Sequence, residues 1–285
     1  MPIYKPSELR QFLDSNNLSP KKGLSQNFLI DGNIIKKIID TAQVETGDIV
    51  LEIGPGPGSL TEALLEKGVK LLAVEKDVSL ANTLERFQTE DRRLSVYCED
   101  ILTFPIHEKF SSLINTEKKG KVIANLPYHL TTPIVTQLSR ERALFSSLTI
   151  MVQDEMGRRM TAQPNTNDYG SLTVFLRFYT NPRYAFTVSQ HCFYPVPKVN
   201  SAIVYLELKE PPLDEDTAVL FFKMTRQAFE HRRKMLRASL KEMYPSHAIE
   251  EALEKIGQNR LARPEVLSLE EFLELFHLLQ ATLTL

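Results

Sequence analysis

A chain of 285 residues with 42% hydrophobic and 25% charged residues has the composition of a soluble protein, and it is long enough for one large domain and a small one. Its formal net charge of −2 excludes a uniformly basic nucleic-acid binder, so any contact with nucleic acid must come from a local patch. The two cysteines, Cys98 and Cys192, lack metal-ligand spacing and fit a reducing compartment. No apolar run is long enough to cross a bilayer and residues 1–14 carry no signal-peptide pattern, so a cytoplasmic protein without a membrane partner is expected.

An amphipathic segment (Ser7 to Asn16) opens the chain, and Lys21 to Leu29 reads as a loop. Asp31 is placed to cap a helix with Ile34, Ile35, Ile38, Ile39 and Ala42 on one face. From Asp48, apolar strands at 49–53, 70–74, 94–97, 121–124 and 148–153 alternate with helices at 59–67, 78–87 and 132–138. That alternation predicts an α/β fold with a doubly wound, mainly parallel sheet. Asn181-Pro182 breaks the chain, strands at 184–188 and 201–208 follow as a hairpin-like edge, and 211–216 reads as a linker. Everything beyond looks helical, which predicts domains at 1–210 and 211–285.

The chemistry concentrates at strand ends. The strand Val50 to Ile53 breaks into Gly54-Pro55-Gly56-Pro57-Gly58 before a helix, which lets a bulky ligand approach backbone and free N–H groups. Glu75 ends the next strand 21 residues after Gly54, the spacing of an acid that accepts from ribose hydroxyls. Asp100, after the third strand, can accept from an exocyclic amine. Asn125-Leu126-Pro127-Tyr128 ends the fourth strand and suits the N6 amine of adenine. The Asn125 side chain and the Leu126 main chain offer two acceptors, Pro127 holds Leu126 extended, and Tyr128 offers a ring on which a base can stack. The glycine spacing departs from the Gly-x-Gly-x-x-Gly of dinucleotide binders, which argues against a dehydrogenase.

These motifs resemble those of the S-adenosylmethionine-dependent rRNA adenine N6,N6-dimethyltransferases. The resemblance runs through Gln26-Asn27-Phe28-Leu29, the glycine loop, Val74 to Asp77, Glu99-Asp100, Asn125 to Tyr128, Phe193 to Ser201 and the basic stretch Phe229 to Arg237. It implies a Rossmann-like seven-stranded methyltransferase sheet with a small all-helical C-terminal domain, and S-adenosyl-L-methionine as methyl donor. It also implies action on two adjacent adenosines near the 3′ end of small-subunit rRNA, in the assembling 30S subunit. It places Asn27 and Leu29 at the methionine end of the cofactor and Gly54, Glu75, Asp100 and Asn125 around the rest of it. Phe193 is expected as a second stacking face opposite Tyr128, offsetting the cost of unstacking an extruded nucleotide.

Arg226, Arg233 and Arg237 are expected on one helix face, with Arg232 and Lys234 nearby, as a row that neutralises RNA phosphates. Arg158 and Arg159 could extend it. The proposed reaction needs neither a metal nor a histidine base, and a monomer is expected. The alternatives are a large-subunit rRNA methylase of the macrolide-resistance type, a DNA adenine methylase, and a ribosome-assembly factor acting mainly by binding.

Overall fold

The computed structural model describes residues 3–282 except 25, 89, 92, 112, 115–117 and 232. The chain forms two units, residues 1–157 with 181–209, and residues 158–180 with 210–285.

The first unit is built on nine strands: β1 (Phe28–Leu29), β2 (Ile49–Ile53), β3 (Lys70–Val74), β4 (Leu94–Tyr97), β5 (Gly120–Asn125), β6 (Phe145–Gln153), β7 (Thr180–Val188), β8 (Phe193–Tyr194) and β9 (Ser201–Leu208). Seven of them form one sheet in the order β4-β3-β2-β5-β6-β9-β7, parallel from β4 through β6, with β9 antiparallel to β6. The central strands read as apolar runs because a parallel sheet is covered on both faces; Val50, Leu51, Leu71, Leu72 and Val122 are fully buried. β1 and β8 form a separate antiparallel pair, Leu29 opposite Phe193.

Helices α1 (Pro6–Ser15), α2 (Gly32–Thr41), α3 (Ser59–Glu66), α4 (Val78–Thr83), α5 (Ile106–Ser111) and α6 (Thr131–Leu138) complete this unit. The Asp31 carboxylate caps α2 as its position predicts, accepting from the Asn33 and Ile34 amides at 2.9 and 3.2 Å, and Ile35, Ile38 and Ile39 turn inward. α1 buries Leu9 and Leu13 beside Phe28 and Leu80.

The helical unit takes in more chain than the linker at 211–216 suggests. After α7 (Asp154–Thr161), the helix α8 (Ser171–Tyr179) buries Val174 and Phe178 in one core with Phe221, Met224, Phe272 and Phe276. Those partners lie on α9 (Glu215–Glu230) and α12 (Leu269–Ala281); α10 (Leu236–Ser239) and α11 (Ser246–Lys255) lie between. Residues 158–180 therefore belong with the C-terminal helices and not with a continuous domain over 1–210. The apolar stripe of α8 is matched by aromatic rings, with Phe178 and Phe221 centred 5.5 Å apart. α9 and α12 start at side-chain caps: Asp214 accepts from the Thr217 amide at 3.0 Å, and Ser268 and Glu271 form a reciprocal capping box.

Candidate active site

The strand order reverses between β2 and β5, since the chain runs outward to β3 on one side and returns to β5 on the other. Ligand crevices form outside the carboxyl ends of the strands at such a switch point. A cleft of about 240 Å³ lies there, lined among others by Gly54, Gly56, Glu75, Asp100, Asn125 and Tyr128. Four separated stretches of sequence thus meet at one edge of the sheet.

The glycine loop has the conformation its composition suggests. Gly54 and Gly56 sit at φ +67° and +58°, where a side chain is strained. A Cβ on Gly54 would stand 3.2 Å from the Asn125 carbonyl, and one on Gly56 would stand 3.2 Å from the Phe28 ring. The loop is held from the opposite side by Glu75, whose two oxygens accept from the Gly56 amide at 3.0 Å and the Asp77 amide at 2.9 Å. Burial raises the Glu75 carboxyl above its ordinary range, against the pull of these amides.

Residues 21–24 and 26–29 form a strap that lines the cleft beside this loop. Asp77 accepts from Lys21 Nζ at 2.8 Å and from Gln26 Nε2 at 2.9 Å. Burial works to raise the Asp77 carboxyl, but the Lys21 and Gln26 bonds overrule it and leave it below the usual carboxylate range. At the other end of the strap the Asn125 side-chain nitrogen donates to the Asn27 carbonyl at 3.3 Å. That bond uses the amide nitrogen, so Oδ1 is the acceptor Asn125 has left to offer. Leu29 is buried by its pairing with Phe193.

Leu126 is buried, with its amide bonded to the Met151 carbonyl at 3.2 Å. Tyr128 opens a single helical turn and is half-buried, and its hydroxyl lies 3.2 Å from Oγ of the fully buried Ser201 at the start of β9. Asp100 is ionised and already engaged: Lys76 Nζ reaches Oδ2 at 2.8 Å, the main cause of its lowered pKa, and the Leu102 amide reaches Oδ1 at 3.0 Å. A ligand amine must share this carboxylate with Lys76.

Two expectations need correction. Phe193 is 1% exposed and packs in the core with Leu29, Val188 and Ile203, so it has no free face for a base. Its ring anchors the strap through the β1–β8 pair. The basic residues do not share one helix face. α9 stops at Glu230, Arg233 and Lys234 fall in a turn closed by the Lys234 amide on the His231 carbonyl, and Arg237 lies on α10. The chain turns because Leu236 and Leu240 are fully buried in the helical core. Arg226, Arg233, Lys234 and Arg237 are all exposed, Arg237 pairs with Glu250 at 2.7 Å, and Arg232 lies outside the described residues.

Three contributors escaped a reading by motif: Lys76, Ser201 and Glu52. All stand within quoted motifs, but their roles depend on partners outside their own motifs. Glu52 heads the glycine pattern, is 1% exposed, and accepts from the Thr61 hydroxyl at 2.7 Å.

A Rossmann-like sheet with a glycine loop at its switch point, an acid ending β3 and Asn-Leu-Pro-Tyr ending β5 defines a nucleic-acid adenine methyltransferase. The chain belongs to the ribosomal RNA adenine dimethylase family, whose model matches residues 17–281. It is 62% identical over 277 residues to the ribosomal RNA small subunit methyltransferase A of Protochlamydia amoebophila (strain UWE25), covering 97% of each chain. It is 46% identical over 278 residues to the protein of the same name from Chlamydia caviae, covering 97% of this chain and 98% of that one.

Among solved structures, it resembles the 23S rRNA methyltransferase ErmE with a TM-score of 0.69 and 28% identity, over 89% of this chain and 100% of that one. A dimethyladenosine transferase from Plasmodium falciparum gives a TM-score of 0.69 and 25% identity, over 87% of this chain and 95% of that one. The protein is an rRNA-modifying methyltransferase. No helix among the described residues is long and apolar enough to cross a membrane.

Proposed function

We propose that this enzyme transfers methyl groups from S-adenosylmethionine to the N6 amines of two adjacent adenosines near the 3′ end of small-subunit rRNA, during assembly of that subunit. The near-complete overlap with the small-subunit relatives supports this substrate over a large-subunit one. The cofactor fits the residues present: a glycine cradle whose positive φ angles and close neighbours disfavour a Cβ, a buried acid at ribose spacing and an acidic residue for its adenine. When bound, it supplies a methyl group made electrophilic by a sulfonium.

The observation that carries the reading is the orientation of Asn125. With its nitrogen committed to Asn27, its Oδ1 accepts one N–H of the target amine, and the Leu126 carbonyl accepts the other. Two acceptors on one –NH2 pull the nitrogen toward tetrahedral geometry and aim its lone pair at the methyl carbon, which is catalysis by orientation and electrostatics. Tyr128 stacks on the base, and Ser201 sets the plane of the ring. After each transfer the N6 proton passes to water. In the helical unit, exposed Arg226, Arg233 and Lys234 are offered as phosphate contacts.

The test is transfer from labelled cofactor to small-subunit particles, large-subunit RNA and duplex DNA in parallel, with mass analysis of the product nucleoside. N6,N6-dimethyladenosine in the small-subunit arm alone is the expected result. Label only in large-subunit RNA or DNA would overturn the substrate assignment.

A further inference from the structure

The floor of the cleft carries an acid that the reaction as described leaves unused. Glu52 lines the cleft from β2, in a row across the sheet with Ile123 of β5 and Thr149 of β6. Paired residues of parallel strands project to the same face, so this row forms one continuous patch. Glu52 Oε2 holds the Thr61 hydroxyl, while Oε1 is buried with no hydrogen-bond partner among the described residues. Ser59 Oγ and Thr149 Oγ1 line the same cleft in the same condition.

The groups around Glu52 give a negative charge little support. Just past the end of β3 stands another acid, Glu75, α3 contributes the neutral hydroxyl of Thr61, β5 presents apolar Ile123, and no lysine or arginine among the described residues offsets the charge. Burial pushes the Glu52 carboxyl up to about 8, with Thr61 opposing the rise and Glu75 adding to it. An ionised carboxyl here needs a cation that the described residues do not supply.

We propose that Glu52 couples cofactor binding to proton release: it is neutral in the cofactor-free cleft and ionises when positively charged S-adenosylmethionine enters. This rests on the cofactor reading above. The step balances: the O–H bond of Glu52 breaks, water takes the proton, and the new carboxylate compensates the net positive charge brought in by sulfonium and ammonium against one carboxylate. In a water-poor cleft such compensation is strong. Transfer of the methyl group removes the sulfonium charge, so the demethylated product holds Glu52 ionised less well. Glu52 then takes a proton back, and the product is bound without the charge attraction that the sulfonium supplied. Glu52 is a positioning residue in this scheme, acting through charge.

The experiment is calorimetry of S-adenosylmethionine binding to the full chain at neutral pH, in two buffers of different ionisation enthalpy. Wild type should release close to one more proton per cofactor bound than Glu52→Gln. Any contribution from the cofactor's own amine cancels in that difference. S-adenosylhomocysteine should release fewer protons than S-adenosylmethionine.

Thr61→Val keeps the acid but removes the hydroxyl that stabilises its ionised form, so half-maximal release should move to higher pH. That variant also keeps the test valid if Glu52→Gln fails to fold. Equal proton counts in wild type and Glu52→Gln, or a release profile unmoved in Thr61→Val, would overturn the coupling. Absence of any binding by wild type would sink the cofactor reading itself, whereas binding without proton release sinks only the coupling.

Discussion

The Asn125 amide nitrogen and the Asn27 main-chain carbonyl lie 3.3 Å apart, joining the end of β5 to the strap that lines the cleft. This contact decides which end of the Asn125 amide faces a substrate, and it links the strap to the reacting centre. Asn125→Ala should reduce transfer by about a hundredfold or more, the usual cost of one preorganised polar contact to the reacting group. Circular dichroism should show the fold intact. Wild-type turnover by this variant would remove Asn125 from the mechanism.

Tyr128 and Ser201 should behave as one unit. Tyr128→Phe and Ser201→Ala each remove the same hydrogen bond, worth about 0.5–1.5 kcal/mol, so each should lower productive binding by no more than about tenfold. The double variant should cost no more than either single one, because the coupling is pairwise. Tyr128→Ala loses the ring as well, and about 1–3 kcal/mol of stacking with it. Strictly additive effects of Tyr128→Phe and Ser201→Ala would separate the two residues.

Phe193→Ala should destabilise the first unit by about 3–5 kcal/mol, the cost of emptying a buried aromatic site. Denaturant midpoints measure it, and Phe193→Leu should recover most of the loss. An alanine variant with native stability and no transfer would return Phe193 to a role against the base.

The Asp77 clasp predicts a pH dependence. The folded state holds this carboxyl below its ordinary value of 3.8, so ionisation stabilises the native chain above that pH. The contribution is lost as pH falls through the lowered value. Asp77→Asn should therefore be less stable than wild type by a constant margin of about 1–2 kcal/mol near neutrality, with the gap closing in acid. Urea midpoints across pH check it, and amide exchange should quicken in the strap. A gap that widens toward low pH contradicts the assignment.

Replacing Arg226, Arg233 and Lys234 together by alanine should weaken RNA binding and flatten its salt dependence by about 0.9 log units per lost phosphate contact. Arg237→Ala should do less, since Glu250 already neutralises that guanidinium. Cofactor affinity should not change. An unchanged salt slope in the triple variant would move the RNA surface elsewhere.

The sheet and the chemistry at its edge were legible in the residue pattern alone. Strand and helix periods are local, and Gly54, Glu75, Asp100 and Asn125 fall where strands end, so they meet in any doubly wound fold with this order. What each neighbour does depended on long-range packing. Burial turned Phe193 from a stacking face into an anchor for β1. The inward pull of Leu236 and Leu240 ended α9 at Glu230 and scattered the basic row, overriding a helical spacing that runs on through the turn. Residues 158–180 joined the helical unit because Phe178 finds its partners there. Asp77 and Ser201 gained roles from residues 51 and 73 positions away. Such contacts form only when distant segments are packed together, and no local pattern encodes them.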